Sequence, residues 1–317
     1  MNRHRGLVGA ITAVAMGVAG SAVAQGYPER TIELVVPSTP ASSADILGRV
    51  LAEGMSAQLG QRIIIVNKPG AGGIVGTVAV AQAKPDGYTL MHAAAVSLTV
   101  APLRDSKAGY THKSFDPICR TFKNDQVIVA RPNTYRNVAD LIAASKGKPG
   151  GLNFGSPGLG TIPHLAMIEL AQITKVEFNH VPFKGPAESI QMTYGGQIDF
   201  AVAPITAAAK SGLVMPGVFA PQRNPAIADV PTVKEQGFDV APLSFGALVA
   251  PAGLPAEVKR KLDAACKAAA QSEAYRRVAK SHFQPDDYYG DSAALAENLD
   301  RDVAEKRRLL TALGMAK

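Results

Sequence analysis

The sequence predicts an α/β protein of two domains, each a mainly parallel sheet flanked by helices, with a ligand cleft between them. Short apolar runs alternate with segments of helical spacing, the pattern of strand–helix–strand units on a parallel sheet. The alternation runs once over the first hundred residues and restarts near Phe115. The chain has 317 residues, 47% hydrophobic and 19% charged, which is enough for two cores.

In chain order, residues 31–37 (TIELVVP) read as a buried strand ended by proline. Beyond a polar loop, residues 44–59 place Ile46, Leu47, Val50, Leu51 and Met55 at helical spacing, and Gly60 closes the helix. A strand over 62–66, a helix over 73–83 and, after the Pro85-Asp86-Gly87 turn, a strand over 88–92 complete the first run. The second run reads as strands over 126–130, 152–155, 176–181 and 198–203, with helices over 138–146, 161–173 and 187–194. Between Pro221 and Pro231 the chain is expected to leave this unit, with a short helix opening at Val230-Pro231-Thr232. A strand over 245–250, a helix over 255–272 and an amphipathic helix over 292–313 follow. The first domain is therefore assigned residues 25–105 and 225–317, and the second residues 106–224. Ligands of such sheets bind beyond the carboxyl ends of strands, which places the site in the interdomain cleft.

Composition excludes several classes. Two cysteines build no disulfide framework, and no CxxC or His-rich cluster suggests a metal. The formal charge of +7 is scattered, with no basic run, and without Trp there are few stacking platforms, so no nucleic-acid partner is expected. Residues 1–24 have a positive start at Arg3 and Arg5, a small apolar stretch over 7–19 and an A-x-A site at Ala22-Val23-Ala24. This is the pattern of a secretory signal cleaved after Ala24, leaving an exported protein that in a Gram-negative cell is periplasmic; it is expected to be a monomer. The apolar stretch is too short for a membrane anchor.

Two strand-to-helix loops stand out, residues 37–45 (PSTPASSAD) and 156–164 (SPGLGTIPH). Each offers hydroxyls and unpaired N–H groups at a helix N-terminus, which serves either helix capping or an anion. One such loop per domain makes an anion clamp. The stretch 70–76 (GAGGIVG) lacks the G-x-G-x-x-G spacing and a following acidic residue, so it reads as a turn that lets a helix pack closely rather than a dinucleotide site; no cofactor is expected. Ser156 lies near a nucleophile-elbow pattern, but Phe154 replaces its first glycine and Pro157 has no N–H for an oxyanion. His164, inside the next helix, reads as a loop-bracing residue rather than a base. Export permits a bond between Cys119 and Cys266, but two buried free thiols fit the sequence as well.

Taken together, these landmarks resemble the Bug-type solute receptors of tripartite tricarboxylate transporters. The most specific matches are residues 67–73 (NKPGAGG) with Gly76, and 83–90 (AKPDGYTL). Others are Tyr27-Pro28, Val35-Val36-Pro37 with Asp45 and Arg49, Ser156 to Leu165, 180–185 (HVPFKG), 195–199 (GGQID), Val230-Pro231-Thr232, and 250–253 (APAG). The resemblance implies a type II-like periplasmic-binding-protein fold that closes over a small carboxylate and hands it to membrane components of the transporter. It further implies that the loop after the first strand and the loop before the His-Leu helix grip the carboxylate. The family usually reads Pro-Phe-Pro-Pro-Gly-Gly where this chain has Pro37-Ser38-Thr39-Pro40-Ala41-Ser42. Loss of the aromatic ring is expected to open or polarise the pocket.

The sequence thus reads as a non-enzymatic receptor for a dicarboxylate or aromatic carboxylate. Ser38, Thr39, Ala41, Ser42 and Ser43 are assigned to one ligand end, and Ser156, Gly158, Gly160 and Thr161 to the other. Ser97 and Lys184 are further cleft candidates, and Asp45, His164 and Asp199 are taken to brace loops. Alternatives are a periplasmic α/β hydrolase using Ser156 and a sensory receptor of a two-component system.

Overall fold

The structure, a computed structural model, describes residues 26–285 and 287–316; the expected signal segment lies outside the described residues. β1 (Ile32–Val36) buries Ile32, Leu34, Val35 and Val36 completely, as a central strand covered on both faces must. α1 (Ser43–Leu59), β2 (Ile63–Asn67), α2 (Ile74–Ala81) and β3 (Thr89–Ala94) follow. Two one-turn helices, α3 (Val96–Thr99) and α4 (Ala101–Arg104), lead to β4 (Phe115–Lys123). Next come β5 (Gln126–Ala130), α5 (Val138–Lys146), β6 (Leu152–Ser156), α6 (Ile162–Thr174), β7 (Phe178–Pro182) and α7 (Pro186–Tyr194). β8 (Phe200–Pro204), α8 (Ile205–Ala208) and β9 (Val214–Phe219) end that stretch. β10 (Phe245–Pro251), α9 (Ala256–Ala270), α10 (Glu273–Ser281) and α11 (Ser292–Ala312) close the chain.

The strands form two five-stranded sheets, ordered β2-β1-β3-β10-β4 and β7-β6-β8-β5-β9. In the first, β10 runs against both neighbours, and in the second β5 does. The remaining strands of each sheet are parallel, so the two halves share one topology. The chain crosses between them at β4 to β5 and at β9 to β10. Asn124 N–H donates to Ser244 O at 2.9 Å, tying the two crossings side by side.

Register corrects the expected division of the chain. β4 pairs with β10 in the first sheet, although residues 106–123 were assigned to the second domain. Asp116, Pro117, Arg120 and Lys123 dilute its apolar pattern, which hid it as a strand. The return crossing is also later than Pro221–Pro231, since Val233 and Val240 still pack in the second core. No helix opens at Val230. Val233 N–H donates to Val218 O instead, pairing this segment with β9, and a single turn ends there. β9 has no clear strand pattern in the sequence because Pro216 and Gly217 interrupt it. The expected helix over 255–272 splits from α10 where the Ser272 side chain caps Tyr275 N–H and starts a new helix.

Cys119 of β4 and Cys266 of α9 form a disulfide, with Cα atoms 6.6 Å apart and a sequence separation of 147. The whole second sheet lies inside the loop this bond closes. A third connection comes from α11, whose Leu309 and Leu310 cluster with Val100 and Leu103 and with Ile162 and Leu165 of α6. Arg308 of α11 pairs with Glu169 of α6 at 2.9 Å.

Candidate functional site

The loop after β1 is ordered around Asp45, which is only 3% exposed. Its carboxylate accepts from Ala41 N–H at 2.9 Å, from Arg49 at 2.9 and 3.1 Å, and from Asn67 Nδ2 at 2.9 Å. Burial pushes this carboxyl upward, but the hydrogen bonds from Arg49, Asn67 and Ala41 outweigh it and hold the group below its ordinary value. Asn67 also donates to Ser38 O at 3.1 Å, so the loop is held at both ends. Ser42 caps α1, its Oγ accepting from Asp45 N–H at 3.3 Å, and it meets Ser38 Oγ at 2.7 Å. That contact consumes one of the two hydroxyl hydrogens and leaves the other to donate elsewhere. The N–H groups of Ser43 and Ala44 belong to the first helical turn and have no intrahelical acceptor.

The loop after β6 is braced by imidazoles. His164 Nδ1 accepts from Gly160 N–H at 3.0 Å, which puts its proton on Nε2. His180 lies on His164 with ring centroids 4.1 Å apart. Burial pushes both histidines down to about 4, and for His164 the His180 and Arg104 charges add to the effect, so both are neutral at pH 7. Ser156 is fully buried, with its Oγ 2.7 Å from His180 Nε2 and 3.1 Å from Gly158 O. Thr161 Oγ1 donates to Gly158 O at 2.8 Å rather than capping α6.

A cleft of about 590 Å³ opens between the halves, within the range of small-molecule sites. Ser38, Thr39, Ala41, Ser42, Ser43 and Ser97 all line it. Ser97 is fixed there because Tyr110 Oη donates to its carbonyl at 2.6 Å and its own hydroxyl donates to Ala94 O. The 70–76 stretch forms the floor: a Cβ at Gly76 would come within 2.7 Å of Lys68 O and 2.9 Å of Pro37 Cβ, so only glycine lets α2 approach. No charged side chain lines this cleft among the described residues.

The wall from the second half corrects the expected clamp. It comes from Pro186, Pro204, Thr206 and Ala207, with Phe122 and Asn124 from the crossing. Ser156 is turned into the interior by its hydrogen bonds, and Gly158 does not reach the cleft either. Lys184 is exposed outside it, and its N–H donates to the Glu188 carboxylate at 3.0 Å. Gly160 and Thr161 instead line an adjoining cavity of about 710 Å³ with Arg104, Lys107, Ile74 and Val100. Gly72 and Val96 border both cavities. Asp199 braces the far end of β6, accepting from Asn153 N–H and Lys148 Nζ at 2.7 Å each. The segment after β8 was legible in principle, since ligands gather at the carboxyl ends of strands. The same rule singles out Ser97 after β3.

A two-domain α/β cleft of this kind is shared with known proteins. The model of the tripartite tricarboxylate transporter family receptor matches residues 47–315. The chain belongs to this receptor family. A UPF0065 protein of the gbd 5′ region of Cupriavidus necator is 35% identical, with 97% of this chain and 96% of that protein covered. BugT of Bordetella pertussis is 31% identical over 86% of each chain. Among solved structures, a solute-binding protein from Polaromonas superposes with a TM-score of 0.79 at 30% identity, covering 90% of this chain and 99% of that one. Periplasmic binding protein BugD gives 0.75 at 27% identity, covering 92% and 100%. MatC of Rhodopseudomonas palustris, solved with bound malate, gives 0.74 at 25%, covering 90% and 100%. The receptor family is one of solute-binding proteins, not of enzymes. The Ser156–His180 contact in this receptor does not make a nucleophile: the hydroxyl is buried, Pro157 offers no oxyanion donor, and His180 Nδ1 has no acceptor to orient the ring. No helix among the described residues is long and apolar enough to cross a membrane.

Proposed function

We propose that this receptor is a periplasmic, monomeric protein that captures a small carboxylate in the interdomain cleft for uptake through the membrane components of a tripartite tricarboxylate transporter. The observation that carries this reading is the β1–α1 wall. It presents the free N–H groups of Ser43 and Ala44 and the hydroxyls of Ser38, Thr39, Ser42 and Ser43 at the N-terminus of a 17-residue helix. Such donors, with the helix dipole behind them, stabilise an anion without a cation in the cleft. Malate bound to MatC supports a carboxylate as the guest class. The topology supports a division into 26–123 with 244–316, and 124–243, hinged at Asn124 and Ser244.

A thermal-shift screen of mono-, di- and tricarboxylates, aliphatic and aromatic, tests this. At least one carboxylate should raise the melting temperature in a saturable way, and the uncharged amide of the same acid should not. If amide and acid stabilise equally, the anion reading fails.

A further inference from the structure

We propose that His92 is a positioning residue of the anion site: from inside the first core it holds the opening turn of α1, so that the Ser43 and Ala44 N–H groups meet a carboxylate in the cleft. The inference rests on the carboxylate reading of that cleft and adds a residue that never touches the guest. Ala44 lines the cleft and is the second residue of α1. Its carbonyl oxygen lies 2.8 Å from His92 Nδ1. A carbonyl oxygen only accepts, so Nδ1 carries the proton and donates to it. Nε2 is then the acceptor, and the Thr121 hydroxyl donates to it at 2.8 Å. Burial pushes His92 down to about 4, so the imidazole is neutral at pH 7 and keeps this one tautomer. Both ring nitrogens are thereby committed.

The support beneath the turn is rigid. His92 is fully buried on β3, the middle strand of the first sheet. Thr121, also fully buried, belongs to β4, and its carbonyl accepts from Tyr275 Oη at 2.8 Å. Phe122, which lines the cleft, meets the imidazole edge to face with ring centroids 5.6 Å apart. One turn beyond Ala44 stands Gly48, where a Cβ would lie 2.8 Å from His92 Nδ1. Glycine there lets helix and imidazole come this close. Asp45 and Asn67 secure the preceding loop at Ala41 and Ser38, whereas His92 secures the carbonyl side of the first helical turn. Hydrogen bonds weaken steeply once an N–H turns away from its acceptor, so a small tilt of this turn costs affinity.

Two substitutions separate positioning from general support of the core. In His92→Phe a ring carbon replaces Nδ1. A carbon needs about 3.3 Å from a carbonyl oxygen where the nitrogen sits at 2.8 Å, so the turn must move. In His92→Asn the side-chain amide keeps an N–H near the position of Nδ1 and loses the Thr121 bond. The readout is calorimetric titration with acetate, benzoate, malate, adipate and citrate, at a temperature where an apo melt shows each variant folded. For every acid that the wild type binds, His92→Phe should bind about tenfold more weakly, the low end for a charge-assisted hydrogen bond. His92→Asn should recover most of that loss. In amide NMR spectra of the empty protein, the Ser43 and Ala44 signals should shift in His92→Phe and return towards wild type in His92→Asn. Gly48→Ala, whose Cβ crowds Nδ1 and leaves the imidazole itself intact, should weaken binding in the same direction and serves if His92→Phe does not fold. Unchanged affinity in a folded His92→Phe, or in Gly48→Ala in its place, overturns the inference and leaves the carboxylate reading standing. Equal losses in His92→Phe and His92→Asn overturn it too, because the bond to Ala44 would then not be what matters. A wild type that binds none of the acids overturns the carboxylate reading and this inference with it.

Discussion

The β1–α1 and β6–α6 loops occupy the same place in their two sheets, each following the second strand in the spatial order. They are built on one backbone device. In each, the residue before the helix N-cap has a left-handed φ, +64° at Ala41 and +68° at Gly160. In each, the side chain three residues into the helix turns back to accept that residue's N–H: Asp45 from Ala41 at 2.9 Å, His164 from Gly160 at 3.0 Å. The chemistry of the brace differs. The first half uses a carboxylate held ionised by Arg49 and Asn67, and the second an imidazole that works only while Nδ1 is unprotonated. The first loop keeps its hydroxyls on the cleft, whereas the second spends Ser156 and Thr161 on its own backbone. Equivalent topology therefore does not supply equivalent ligand contacts. The side chains that close each loop decide which polar groups remain for a guest.

The widest expected difference between the halves is covalent. The disulfide holds the first half together across a 147-residue separation, while the second half contains no cysteine. The double variant Cys119→Ala/Cys266→Ala should lose about 2–4 kcal/mol, read as a lower denaturant midpoint. A midpoint equal to that of the oxidised wild type would show that packing alone sets the position of β4.

The two braces come next. Asp45→Asn removes the charge that Arg49 and the N–H donors of Ala41 and Asn67 address, and should cost about 2 kcal/mol of apo stability. Because the folded pKa of Asp45 is depressed, its contribution is present above the unfolded value of 3.8 and is lost only as pH falls through the lower folded value. The histidines behave oppositely on the pH axis. Their folded values of about 4 lie below the ordinary 6.5, so the unfolded chain takes up protons first as pH falls. Stability is full above 6.5 and drains away between there and about 4. His92 in the first core, bonded to Ala44 O and Thr121 Oγ1, is shifted the same way and adds to the loss. Melts from pH 7.5 to 4.5 should fall in the wild type and fall less in His164→Gln/His180→Gln. An equal slope would assign the acid sensitivity to His92.

The smallest effects probe the backbone device. Ala41 carries a Cβ in a conformation where Gly160 has none, so Ala41→Gly should stabilise the empty protein by about 1 kcal/mol in a denaturant melt. Ser42→Ala removes a working cap and should cost about 1 kcal/mol, whereas Thr161→Ala, whose hydroxyl caps nothing, should cost less. Carboxylate affinity, measured by calorimetry beside those melts, should fall about tenfold in Ser42→Ala. Equal losses of apo stability in Ser42→Ala and Thr161→Ala would remove the distinction between the two loops.

Local pattern in the sequence determined most of the elements. The buried run at β1, the spacing of α1, the turn glycines at 60 and 72–73 and the amphipathic α11 each follow from side chains within a few positions of one another. The family landmarks pointed to the two loops and to Asp45 and His164 within them. Tertiary structure alone decided the sheet that β4 joins, because its apolar pattern is broken by charges whose partners are far away in sequence, the Gly253 and Leu254 N–H groups for Asp116 and the Asp287 carbonyl for Arg120. It also decided that Cys119 and Cys266 meet, and that Pro204, Thr206 and Phe122 face the first loop. Arg104 reads in the sequence as one exposed cation among 33 basic residues. Its position over Gly160 depends on how α4, α6 and α11 pack between the halves, and such long-range packing leaves no periodic trace in the chain.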